Sequence, residues 1–135
     1  MEANLKVALT YAAMVGSGGF LGALARYVIS GLVQREFPLA TFPYGTLVVN
    51  LVGCFAIGVL AGISESRQFF GPDARLFVFV GVLGGFTTFS TLGYETIVLM
   101  RDADLFPAFA NIGLHVIAGL ALVWLGYAAA TWRLA

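Results

Sequence analysis

Residues 81–95, GVLGGFTTFSTLGYE, lie between two apolar runs, ARLFVFV (74–80) and TIVLM (96–100). Together these segments are long enough for a helix crossing a bilayer, which needs about 20 residues rising 1.5 Å each. Leucine would serve for crossing alone. The centre instead holds the pair Gly84 and Gly85, the hydroxyls of Thr87, Thr88, Ser90 and Thr91, and the carboxyl group of Glu95. Polar groups are costly in hydrocarbon, so at this depth they point to function. Gly84 and Gly85 weaken a helix and predict a break near that pair, freeing backbone carbonyls at the membrane midplane where a hard cation could bind. Beyond the break, Thr88, Thr91 and Glu95 fall at i, i+3 and i+7 on one polar face, with Phe89 and Leu92 beside it. Hydroxyl donors next to the electropositive edge of a phenyl ring suit an anion that must pass without being trapped by a full charge.

The rest of the chain fits a membrane setting. Of its 135 residues 60% are hydrophobic and 10% charged, with mean hydropathy +0.94, whereas soluble domains are about 25% charged. Four apolar segments at about 7–33, 44–63, 74–100 and 108–132 predict an all-α integral membrane protein, a single four-helix domain over 1–135. The links QREFPLATFP, SESRQFFGPD and RDADLFP carry turn residues and leave no room for a soluble domain. The opening MEANLK includes an acidic residue and precedes an apolar run too long for a signal-peptide core, so the first segment reads as a retained span. Zero net charge argues against nucleic acid as a partner. Cys54 is the single cysteine, which excludes an intrachain disulfide and reads as a small packing residue. Without a His/Cys cluster, metal catalysis is not expected, and nothing suggests an enzyme.

The halves of the chain show no convincing internal repeat. Lys6, Arg67, Arg75 and Arg133 fall on the side of the termini, against Arg35 and Arg101 on the other, with Arg26 near that end of the first span. So even a balance gives little reason to prefer one orientation and predicts insertion both ways, hence an antiparallel homodimer. The GxxxG pairs Gly18/Gly22, Gly58/Gly62 and Gly81/Gly85 allow close helix approach, either within one chain or between copies.

Other intramembrane polar residues carry two readings each. Arg26 either snorkels to the interface or places a fixed positive charge at a water-filled mouth. Asn50, too short to snorkel, is either an interhelical hydrogen-bonding residue or an amide donor lining a path. Glu95 is a buried neutral acid or the partner of a charge such as Arg26. Asn111 and His115 share a face of the fourth span with Gly119.

GGFLGALARY (18–27), GTLVVNLVG (45–53), GVLGGFTTFST (81–91) followed by glutamate, and NIGLHVIAGLALVWLG (111–126) together resemble the small bacterial fluoride channels of the Fluc or CrcB family over nearly the whole chain. The resemblance implies a passive fluoride channel in the bacterial inner membrane, multi-pass and built as a dual-topology antiparallel dimer. It also implies a structural sodium ion at the dimer centre, held by the carbonyls of Gly84 and Thr87. The implied fluoride pathway uses Asn50, Thr88, Phe89, Ser90, Thr91, Leu92 and His115, with Arg26 in the vestibule and Glu95 as the intramembrane acid. Leu92 stands where the family usually has a second phenylalanine, and His115 where a small hydroxyl residue is expected. A proton-driven, dual-topology multidrug exporter is the competing class. It requires a carboxylate in a substrate cavity, and Glu95 is the one deep candidate.

Overall fold

The computed structural model describes residues 2–67 and 70–132, apart from the side chains of Ala3, Ser66 and Arg67. Arg133 and the Arg67 side chain, both counted in the charge balance, lie outside the described residues. Among the described residues, four helical spans are long and apolar enough to cross a membrane: Asn4–Arg35, Tyr44–Glu65, Pro72–Arg101 and Leu105–Trp132. The first belongs to an unbroken helix, Glu2–Arg35, and the second to the helix Tyr44–Arg67.

The third span is broken, but not at the glycine pair. Gly84 and Gly85 are helical, and the chain becomes extended at Thr87 (φ −88°, ψ 159°) and Thr88 (φ −151°, ψ 120°) before a new helix, Phe89–Arg101, begins. The expected break near Gly84–Gly85 is therefore displaced toward the threonines. The reason is packing: a methyl group at Gly85 would lie 2.5 Å from the Gly19 carbonyl oxygen, so this glycine provides close approach and not a bend. Wide π-helical turns occupy Leu76–Leu83 in the third span and Leu114–Ala118 in the fourth.

Two helix pairs make the bundle. The first span packs on the first half of the third through Gly18, Gly22, Gly81 and Gly85. A methyl group at Gly18 would lie 2.6 Å from the Phe77 carbonyl oxygen, and one at Gly22 would overlap the Val82 carbonyl. The second span packs on the fourth, to which it runs parallel, with Gly58 against Val123, Gly62 against Ala130 and Gly126 against Phe55. All three GxxxG pairs thus serve contacts within the chain. In lipid no hydrophobic effect drives helices together, so dispersion contacts at close range must do so. The core is small, with Val49, Leu99 and Ala108 nearly inaccessible, while large apolar side chains such as Phe20, Ile117 and Trp124 face outward.

Gly85→Ala should destabilise the bundle by about 1–3 kcal/mol, because backbone faces backbone at that point and cannot yield. Gly113→Ala, with nothing within 4 Å of its added methyl, should leave stability within about 0.5 kcal/mol. Thermal unfolding of the two variants in detergent checks the contrast.

Candidate functional site

The break exists because Asn50 supplies what a helix would otherwise supply. Its Oδ1 accepts from the Thr88 backbone N–H at 2.8 Å, and its Nδ2 donates to the Thr88 carbonyl at 3.0 Å. A single side-chain amide thereby satisfies both backbone groups of an extended residue at membrane depth, where each would otherwise cost several kcal/mol. Gly53 lets the second helix come this close, since a side chain there would run into Thr87. Of the two readings of Asn50, the hydrogen-bonding one is thus realised. The side chain also lines a groove, and Nδ2 carries a second proton.

Thr88 then starts the following helix. Its Oγ1 accepts from the Thr91 N–H at 3.3 Å and lies 3.0 Å from the Thr91 hydroxyl and 3.3 Å from that of Ser90. This is an N-cap, favoured because it satisfies an orphan donor of the first turn. The cluster differs from the hydroxyls of Thr10, Thr131 and Thr87, which bond back to carbonyls of their own helices. The Thr87 hydroxyl thus bonds back to the preceding turn, whereas that of Thr88 lies against those of Ser90 and Thr91.

Two recesses of about 380 Å³ each meet at the break. One is an open groove whose lining includes Asn50, Cys54, Gly84, Thr87, Phe89, Leu92 and His115 and no charged side chain. The other is lined by Arg26, Tyr27, Ser30, Thr46 and Thr91 among others. Thr88 stands in the wall of both. The sequence-predicted residues are thus divided: Asn50, Phe89, Leu92 and His115 line one recess, and Arg26 and Thr91 the other. Ser90 is exposed and lines neither, touching the cluster through Thr88. Phe89 is 85% exposed, whereas Leu92 is 7% exposed. The ring projects from the break and the leucine plugs the bundle behind it.

Glu95 is held by Thr46, whose hydroxyl donates to Oε1 at 2.6 Å, and not by Arg26. Its Oε2 is buried and has no hydrogen-bond partner among the described residues. Thr46 and Ser30 were not singled out in the sequence, although Thr46 stands one turn before Asn50 on the same helix face, a signal that could have found it. Thr96 was likewise missed. It donates to the Leu92 carbonyl at 2.8 Å and accepts from Asn111 Nδ2 at 3.1 Å, while His115 Nδ1 lies 2.8 Å from the Asn111 carbonyl oxygen. A hydrogen-bonded chain therefore links the wall of the third span to that of the fourth.

The carbonyls of Gly84 and Thr87 lose the donors that a continuous helix would send them. The Thr88 N–H goes to Asn50, and the Thr91 N–H goes to the Thr88 hydroxyl. Both residues line the groove, and oxygen-only ligands of this kind suit a hard cation.

Comparison with known proteins adds the lineage. Residues 13–127 match the family described as CrcB-like protein, Camphor Resistance (CrcB). A protein named fluoride-specific ion channel FluC from Methylobacillus flagellatus is 45% identical over 114 residues, covering 84% of this chain and 89% of the relative. The FluC of Opitutus terrae is 46% identical over 118 residues, 86% of this chain and 89% of its own. FluC 3 of Methanosarcina barkeri is 41% identical over 113 residues, 84% of each chain.

Asn50→Ala should unfold the break, since it strands a buried N–H and a buried C=O at about 1–3 kcal/mol each. Loss of hydrogen-exchange protection at the Thr88 amide, together with a lowered unfolding temperature, is the expected outcome. An unchanged Thr88 amide would contradict the clamp.

Proposed function

This chain belongs to the CrcB family, and from that premise we propose that it is a fluoride channel, letting the anion leave the cytoplasm passively down its electrochemical gradient. The observation that carries the reading is the place of Thr88. A cluster of hydroxyl groups at a helix break separates a recess holding the fixed charge of Arg26 from a groove lined by an amide, phenyl rings and no charge. Arg26 raises the local concentration of anions at its mouth. The hydroxyls and the amide donate hydrogen bonds that replace part of the tightly held water of fluoride. None of them is a full charge in the groove that would retain it, and conduction requires binding weak enough to release.

Fluoride enters cells as neutral hydrofluoric acid, ionises at cytoplasmic pH and is trapped. A leak selective for the anion then suffices, and no coupled ion or chemical turnover is required, so the protein acts as a channel and not as an enzyme. The finer parts of the proposal follow the family resemblance: residence in the bacterial inner membrane, and an antiparallel homodimer favoured by the even distribution of lysine and arginine. Phe89, exposed on one chain, gains a wall from the second copy. The freed Gly84 and Thr87 carbonyls of two copies are suited to a shared sodium ion, which when bound supplies positive charge tying the two breaks together. The exporter alternative gains no support, since the deep carboxylate it needs is tied to Thr46 on one oxygen and buried on the other.

Liposomes containing only the purified chain should release fluoride at clamped voltage with no imposed proton or sodium gradient. Phe89→Ile should lower this flux at least about tenfold, by removing the ring edge that faces the anion, while Leu92→Phe should conduct. Crosslinks between opposite ends of identical chains should form in membranes. Efflux that tracked an imposed pH gradient at fixed fluoride gradient would overturn the reading.

A further inference from the structure

Gln34 stands one residue before the end of the first helix, Glu2–Arg35. Its side-chain amide does at the start of the second helix what Asn50 does at the break. Oε1 accepts from the Gly45 N–H at 3.2 Å, and Nε2 donates to the Phe42 carbonyl at 3.4 Å. Gly45 is buried and its N–H belongs to the first helical turn, whose donors have no partner within their own helix. Gln34 supplies that partner from a neighbouring helix. Beside the clamp the two helices are pressed together, for a methyl group at Gly45 would overlap the Ser30 carbonyl oxygen and lie 2.6 Å from the Ser30 hydroxyl oxygen. A glycine contact allows close approach but has no side chain to stop one helix sliding along the other. The directional pair of hydrogen bonds from Gln34 provides that stop.

The residues after Gly45 are those that build the site. Thr46 donates to Glu95 Oε1, and Asn50 clamps the Thr88 backbone. From Gly45 to Asn50 the helix rises about 7.5 Å, and Thr46, Leu47, Val49 and Asn50 are all buried, so this segment moves as one body. On the first helix Arg26, Ser30 and Gln34 follow one another at intervals of four residues along one face. Arg26 and Ser30 line the recess.

We propose that Gln34 is a positioning residue of the anion path, setting through Gly45 the height at which Thr46 meets Glu95 and Asn50 meets Thr88. The proposal rests on the fluoride-channel reading. Gln34 is not in the lining of either recess, so it acts through the second helix and not on the anion. The loop it holds has other ties: the rings of Phe37 and Phe42 pack on Tyr44 at centroid distances of 4.4 and 4.9 Å, and the Thr41 hydroxyl donates to Asp104 at 3.3 Å. Those contacts secure the loop, whereas Gln34 joins it to the first turn of the second helix.

Backbone amide exchange and fluoride efflux from liposomes, both on the whole chain, test the proposal. Gln34→Met removes both bonds at similar side-chain length. Exchange at Gly45 and at Thr88 should then quicken at least about fivefold, the order expected for one lost hydrogen bond. The amides of Val59 and Val123, where the second and fourth helices meet away from the clamp, should keep their rates. Efflux should fall at least about threefold as the site loses its support. Gln34→Glu keeps the acceptor for Gly45 and should leave the Thr88 amide protected; it is read by exchange alone, because its charge would itself repel an anion. Thr41→Val loosens the same loop at its exposed end and should change neither Thr88 exchange nor efflux. Gln34→Asn, one methylene too short to hold both bonds, should repeat the methionine pattern in milder form and serves if that variant does not fold. Faster exchange at Gly45 with Thr88 unchanged would reduce Gln34 to a local cap. That result, an equal rise at Val59 and Val123, or undiminished efflux would overturn the proposal, whereas no efflux from the wild type would remove the channel reading and this proposal with it.

Discussion

The pairing of one side-chain amide with one backbone unit, Asn50 with Thr88, is the constraint on which the rest depends. Water cannot repair an interrupted helix in hydrocarbon, so an extended residue survives at membrane depth only if protein supplies both a donor and an acceptor. Asn50 supplies both from one rigid group. The interruption then sets everything nearby: Thr88 enters the walls of both recesses, its hydroxyl caps the next helix, and the donors that would have closed on Gly84 and Thr87 are diverted.

Close packing makes that pairing reachable. The second helix can approach the break because Gly53 has no side chain to meet Thr87, and the first helix lies against the third because Gly18, Gly22 and Gly85 remove side chains where backbones meet. These contacts hold the half of the third span before the break as part of the bundle. Wide turns at Leu76–Leu83 and Leu114–Ala118 adjust the facing of each helix on either side of the groove. The second of them carries His115.

The division of labour between the recesses follows from helix geometry. A helix beginning at Phe89 sends Thr91 toward the Arg26 recess and Phe89 and Leu92 toward the groove, so one short segment gives two surfaces of different chemistry. One is lined by several hydroxyl residues and by the positively charged Arg26. The other is largely apolar, with the amide of Asn50, the imidazole of His115, the thiol of Cys54 and the threonines Thr87 and Thr88 among its lining.

The sequence by itself determined the four apolar helices, since only length and hydropathy enter there, and the polar character of residues 84–95, since hydroxyls and a carboxylate at bilayer depth have no bland explanation as a group. It also singled out Asn50, Arg26 and Glu95. The position of the break was decided by tertiary structure: glycine's backbone freedom pointed to Gly84–Gly85, but Gly85 is spent on contact with Gly19, and the interruption moved to where Asn50 could satisfy the exposed backbone. Likewise Glu95 took Thr46 and not Arg26, and Asn111 became the anchor of His115. Those outcomes depend on which helices lie side by side and at what height, and hydrogen-bond partners separated by 38 or 49 residues are set by that packing and not by any local pattern.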